Sequence, residues 1–221
     1  MSDPTVAAAP ELVLAMVVRI EKIDPPTRTS ALEAAARAVL IMLTSQRPEW
    51  SARIDEWDAQ RIRKVVRRAR GAEWRRARAV DGLDVSHRGA ELRVYPPIPL
   101  DGWPPELAKL QVGGTDLTDA QRPKPPLPDQ PLILLSPHVQ MTAGKSMAQA
   151  GHAAQLGWRA SGPTDREHWK SDGFALAVRL ATPDLWASAV EAGAPVVRDG
   201  GFTEVEPDSE TALVVLPWQS Q

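Results

Sequence analysis

Hydrophobic and polar positions fall into two textures along this chain. From residue 11 to residue 80, apolar residues recur at the three- and four-residue spacing of a helix face. Residues 11–23 read as a helix stopped by Asp24-Pro25-Pro26. Ser30 reads as an N-cap, and Glu33 three residues on would complete a capping box ahead of Leu32, Ala35, Ala36, Val39, Leu40 and Leu43. A third helical pattern begins at Pro48. It turns Trp50, Ile54, Trp57, Ile62, Val65, Val66 and Ala69 inward and the arginines outward, until Gly71 interrupts it before residues 73–80. After Gly82 the pattern alternates: Leu83, Val85, Leu92 and Val94 flank a turn at Arg88-Gly89, which predicts a β-hairpin. A short helix is expected over 105–111.

Residues 122–128, Arg-Pro-Lys-Pro-Pro-Leu-Pro, form a stiff extended stretch. Beyond it, apolar runs at 132–136, 174–180, 195–198 and 212–216 read as strands, with helices at 144–160 and 183–192. Thr182-Pro183 supplies an N-cap and a first-turn proline for the second of these. This alternation predicts an α/β sandwich around one central sheet. The expected organisation is a mainly helical N-terminal domain with a β-hairpin over 1–118, a Pro-rich linker over 119–130 and an α/β domain over 131–221. No internal repeat is visible.

Composition narrows the function classes. A chain of 221 residues with 43% apolar content can bury a substantial core. There is no cysteine, which excludes disulfides, thiolate metal sites and a cysteine nucleophile. The N-terminus lacks a basic leader, and the apolar run broken by Arg19 falls far short of the ~20 residues of a membrane span. A soluble, cytoplasmic protein without membrane association is expected. Net charge is −2, unevenly spread: residues 61–78 hold nine basic side chains, among them Arg67 and Arg68, against the single acid Glu73. Read as one basic helix, this stretch suits either a solvated face or a polyanion contact. Trp50, Ile54 and Trp57 form a stripe that suits an internal core or, as the alternative, a homodimer face.

The segment from Gly144-Lys145 to His152 carries the chemistry. As a helix it places Lys145, Gln149 and His152 on one stripe, with Met147, Ala150, Gly151 and Ala154 opposite. A strand followed by Gly-Lys-Ser invites a phosphate-loop reading, but that motif needs glycine where Val139 stands. What remains is Lys145 at a helix start, where free amides favour an anion. No second histidine or carboxylate follows His152 one turn on, which argues against a zinc pair. Asp199-Gly200-Gly201 ends an apolar run, followed by Thr203, Ser209 and Thr211; each of these also suits an ordinary turn.

Together the two segments resemble the archaeal and eukaryotic type of peptidyl-tRNA hydrolase. The matching residues are Gly144, Lys145, Ala148, Gln149, His152, Ala153 and Ala154, then Asp199, Gly201, Thr203, Pro207, Ser209, Thr211 and Leu213. The resemblance spans residues 131–217 and leaves the first 120 unassigned. It implies a three-layer α/β domain with a four-stranded mixed sheet and cleavage of the ester joining a peptide to the 3′ end of tRNA, with no cofactor or metal. It makes Lys145, Gln149, Asp199 and Thr203 catalytic, with His152, Gly144 and Gly201 beside the substrate and tRNA as partner. The family's usual lysines before the first block are replaced by Gln140 and Ala143. Arg67 and Arg68 are expected to restore the phosphate grip. The alternative is an RNA-binding or regulatory module that keeps the fold with little or no catalysis.

Overall fold

The computed structural model describes residues 10–201 and 204–219. The first element is a strand, where a helix is expected. In β1 (Leu12–Arg19), seven consecutive residues are buried. Leu14, Met16 and Val18 enter one core while Val13, Ala15 and Val17 enter a second on the other face. A strand covered on both sides loses its alternation and reads as a continuous apolar run.

Helix α1 (Arg28–Leu43) follows, capped by Thr27, whose Oγ1 accepts the Ser30 amide at 3.2 Å. Ser30 therefore lies inside the helix, and Glu33 turns inward instead of closing a capping box. Helix α2 (Pro48–Ala59) stops at Gln60, and the chain passes through Ile62, at φ +43°, into strand β2 (Arg63–Ala69). Residues 61–78 are thus a strand followed by α3 (Gly71–Ala79), not one basic helix. Strands β3 (Leu83–His87) and β4 (Ala90–Val94) form the expected hairpin, with Arg88 and Gly89 both at positive φ, as a two-residue hairpin turn requires. Strand β5 (Ile98–Pro99) and the short α4 (Pro105–Ala108) complete this half.

The second half runs β6 (Leu132–Leu135), α5 (Ala143–Ala160), α6 (Pro163–Ser171), β7 (Ala177–Leu180), α7 (Pro183–Glu191), β8 (Val196–Arg198) and β9 (Glu210–Val215). It has the four expected strands and the two expected helices, α5 and α7, with an additional helix, α6, that the pattern does not predict. Its sheet has the order β7-β6-β9-β8, with β6 and β7 parallel and the remaining pairs antiparallel, a four-stranded mixed sheet. Leu134 and Leu213 pack with Trp186 of α7 on one face, while Ile133 and Val214 meet Met147 and Ala150 of α5 on the other.

The main path of the first sheet is β2-β1-β4-β3, with β1 and β2 parallel and the other pairs antiparallel. Each half therefore follows one path: strand, long helix, second helix, parallel strand, third helix, antiparallel pair. The fold contains a repeat that the residues do not display.

The two long helices, α1 and α5, pack against each other at the centre. Ala31, Ala34, Ala35 and Ala38 are fully buried there, and a Cβ on Gly151 would come within 2.7 Å of Val39 Cγ2. Small side chains let the helix axes approach, and a single core cluster extends through both halves. Trp50, Ile54 and Trp57 belong to that cluster, which settles their stripe as internal core. The proline-rich segment runs along the join: Asp119 accepts the Thr29 amide and hydroxyl at 2.9 and 2.8 Å, and the Lys124 carbonyl accepts from Arg179 at 2.6 Å. Among the described residues, no helix is long and apolar enough to cross a membrane.

Candidate active site

Asp199 stands one residue past β8, at the tip of the second sheet. Its amide donates to the Ser209 carbonyl at 2.9 Å and its carbonyl accepts from the Asp208 amide at 2.7 Å, so the intervening loop is pinned at its base. Gly201 has φ +72°, and a Cβ there would lie 2.5 Å from Pro207 Cγ. Only glycine fits that turn, which brings the Gly201 amide to Asp199 Oδ1 at 2.9 Å.

The other carboxylate oxygen, Oδ2, receives the Lys145 ammonium at 2.6 Å and the Gln149 side-chain amide at 2.6 Å. Lys145 and Gln149 lie one turn apart on α5, so helix periodicity aims both at one oxygen. Gln149 is itself oriented, its Oε1 accepting the Thr211 hydroxyl at 2.7 Å from β9. The Lys145 and Asp199 side chains keep 11% and 9% of their surface exposed. Both lie against one cavity of about 770 Å³, which His152 and Gln149 also line. A cleft of that size suits part of a substrate.

The helix mouth differs from expectation. Thr142 caps α5 and accepts the Lys145 amide, the Gly144 amide donates to Thr115 Oγ1 at 2.8 Å, and the Ser146 amide returns to the Thr142 carbonyl. Glu204 takes the Thr142 amide at 2.9 Å and its hydroxyl at 2.7 Å. The amides expected to hold an anion are already bonded within the protein, and Gly144 serves that closure. Gly144 and Lys145 both line the cleft, and the Lys145 ammonium rather than the bonded Gly144 and Lys145 amides is the donor they offer there. Thr203 lies outside the described residues.

The far wall of the cavity comes from the first half. Lys64, on β2, reaches α5 and donates to Gln155 Oε1 at 2.5 Å and to the Ile62 carbonyl at 3.2 Å; its Nζ lies 3.2 Å from His152 Nδ1 and above the Trp57 ring. Burial, reinforced by the nearby Arg159 charge, holds the Lys64 ammonium well below its ordinary pKa of 10.5. Burial likewise pushes His152 well below 6.5, helped by the positive charges of Lys64, Lys145 and Arg159. His152 is therefore neutral at pH 7. Its Nδ1 is held against Lys64, and the tautomer follows whichever of the two groups donates in that contact. The sequence places Lys64 only among nine basic residues. Its one distinguishing signal is the β-branched pair Val65-Val66 beside it, which marks a strand.

Arg67 and Arg68 do not join this site. Arg67 lies over the Trp103 ring and donates to the Ala108 and Leu110 carbonyls, at 3.1 and 2.5 Å. Arg68 donates to the Gly113 carbonyl at 2.9 Å and to Gln111. Both bind the chain leading out of α4 to the edge of β2. The outward-facing basic residues of this stretch are Arg61, Arg70, Arg75, Arg76 and Arg78.

The first half has a counterpart at the same place in its own repeat. Glu33, on the second turn of α1, is 1% exposed. It accepts from Nε2 of His87 at the end of β3 at 2.9 Å, from Arg88 at 3.4 Å, and from Arg179 of the second half at 2.7 Å. Arg37 donates to His87 Nδ1 at 2.7 Å, which fixes the ring. Burial alone would raise the Glu33 carboxyl, but the bonds from His87 and Arg179 outweigh it and hold the group below 4.5.

Among the described residues no cluster of three or more histidine, aspartate and glutamate side chains could hold a metal ion. Comparison with protein-family models and with curated protein sequences finds no match to this chain. The functional reading therefore rests on the geometry and on the resemblance between short motifs.

Proposed function

We propose that the chain hydrolyses the ester between a peptide, or another N-blocked aminoacyl group, and the 3′ end of tRNA. The observation that carries this reading is the convergence of Lys145 and Gln149 on one oxygen of Asp199, at 2.6 Å each, on the wall of an open cleft. A carboxylate has about four acceptor positions, and among the described residues three donors occupy those of Asp199. The remaining position, on the Oδ1 side, orients a water and takes its proton as the water attacks the ester carbonyl. Lys145 then moves toward the oxyanion that forms, where a positive charge in a partly dry cleft stabilises the tetrahedral state more than the ester. Gln149 holds the carboxylate in place and is fixed in turn by Thr211. The neutral His152, in the tautomer protonated at Nε2, offers that proton to the leaving ribose or the peptide carbonyl. Arg61, exposed and lining the cleft, supplies positive charge where an RNA end would enter.

A second reading, an RNA-binding module that retains the hydrolase geometry, draws on one observation. The helix-mouth amides and the Arg67 and Arg68 guanidiniums are already bonded within the protein, which leaves fewer donors for an oxyanion or for phosphates. Incubation with an N-acetylaminoacyl-tRNA separates the two. The hydrolase releases free tRNA and loses that activity in Lys145→Ala and Asp199→Asn with the fold retained; the module binds the tRNA and leaves the ester intact.

A further inference from the structure

The wall opposite the Lys145–Asp199 pair is the outer edge of β2. That strand is the end of its sheet, with β1 on its inner side. The direction of its peptide groups follows from two hydrogen bonds. The Ala69 carbonyl accepts the Ile20 amide on the β1 side, and the Arg68 amide donates outward to the Gln111 carbonyl at 2.9 Å. Peptide groups alternate along a strand, so those of Lys64 and Val66 point outward, as that of Arg68 does. Among the described residues no strand pairs with them, and Arg68 to Gln111 is an isolated bridge beyond their end. Residues 61–66 line the same cavity as Lys145 and Asp199. Facing them across it is β8, the end strand of the second sheet.

The remaining lining joins Gln149, His152, Arg198 and Glu204 to a set of apolar side chains. Leu100 and Val112 border the cleft with 44% and 51% of their surface exposed, and Leu156 and Val196 lie deeper. Exposed apolar area beside an unpaired strand edge is the arrangement that takes up an extended peptide: backbone bonds supply affinity, and apolar walls accept varied side chains. The Arg63 and Arg198 guanidiniums on these walls are engaged by Glu11 and Glu210, both at 2.6 Å, which leaves the phosphate-bearing end to the exposed Arg61.

We infer that the peptide part of the ester substrate lies extended in this cleft and pairs, backbone to backbone, with the outer edge of β2. This rests on the proposed ester hydrolysis, and it gives the first half a definite task as the peptide-reading wall of the second half's active site. From Arg63 to Val66 the strand covers ~10 Å at ~3.3 Å per residue, enough for about three peptide units. Recognition through the backbone is tolerant of sequence, as an enzyme acting on interrupted translation products needs.

The test is direct binding to the full chain of three stable analogues, with an amide in place of the ester: 3′-amino-3′-deoxyadenosine alone, its pentaalanyl amide, and the same amide N-methylated at the second and fourth peptide bonds. The inference predicts that pentaalanyl binds at least ~10-fold more tightly than the other two, since each backbone bond to an unpaired edge contributes modestly and N-methylation removes the donors. Equal affinities for all three, as an RNA-end pocket would give, overturn it. So does binding by none, as a cleft filled by residues 1–9 or by a second copy would give. Cleavage of pentaalanyl-tRNA, followed separately, decides the hydrolase reading whichever way the binding falls.

Discussion

The two halves place a buried polar side chain on the second turn of a long helix against the tip of an edge strand, and they use it oppositely. In the second half, Gln149 and Lys145 meet Asp199 beside an open cavity. In the first, Glu33 is enclosed by His87, Arg88 and Arg179, while Asp119 binds the start of its helix. One scaffold thus carries a polar cluster open to a cleft and an enclosed ionic cluster that joins the halves. The chain path is shared; the chemistry is set by the few side chains placed on it.

Breaking each cluster should separate activity from stability. The largest effect is expected from Asp199→Asn, which removes the water-orienting carboxylate: kcat/KM for an N-blocked aminoacyl-tRNA should fall ~10²–10³-fold, with Tm moving by only a few degrees. Glu33→Ala should do the reverse. It leaves Arg179 and His87 without their shared acceptor and should cost ~3–5 kcal/mol, read as a lower urea midpoint, while turnover of the remaining folded protein stays near wild type. Comparable activity losses in both variants would erase the distinction between the sites.

Next in size is the pH response. The His152 pKa is depressed in the folded state, so below pH 6.5 the unfolded chain binds a proton that the native chain refuses, and stability falls as pH drops toward the folded value. Lys64 follows the same sign at higher pH: stability rises from its depressed folded pKa up to 10.5, where the unfolded lysine also loses its proton. In Lys64→Met the alkaline rise should disappear. Stability at pH 7 should be unchanged or higher, because replacing a buried charge with an apolar chain of similar length is often neutral or stabilising. Denaturation midpoints from pH 5 to 10.5 test both signs.

The smallest effect is expected at Arg67 and Arg68. Charge reversal there should loosen the edge of β2 and leave the salt dependence of tRNA binding unaltered. Reversal at the exposed Arg75 and Arg76 should lower that slope by ~1–2 if α3 meets phosphates. A reduced slope from Arg67 and Arg68 would return them to the RNA surface.

The second half was legible because its local signals agree. Apolar runs alternate with helices, and the cap of the second, Thr182, is spelled out in the sequence. Lys145, Gln149 and Asp199 could be singled out because a helical stripe and a glycine turn are local patterns. The first half was misread where tertiary burial overrides the local pattern. β1 is covered on both faces, so no alternation marks it. β2 and the residue before it carry Ile62, Val65, Val66 and Ala69 at helical spacing, and the strand's lysine is buried against the other half. The repeat stayed hidden because equivalent places hold different residues, Glu33 and His87 in one half and Gln149 and Asp199 in the other. Lys64, Thr115 and the inward turn of Glu33 depend on contacts far along the chain, which no spacing reveals.

The central claim is that Asp199 and its two donors form an ester-cleaving site. A single-turnover assay with pentaalanyl-tRNA, comparing the wild-type chain with Asp199→Asn at matched folded concentration, tests it most directly. The account predicts release of deacylated tRNA by the wild type and a loss of ~10²-fold or more in the variant. Equal release by both, or none by a wild-type chain that binds the substrate, would contradict it.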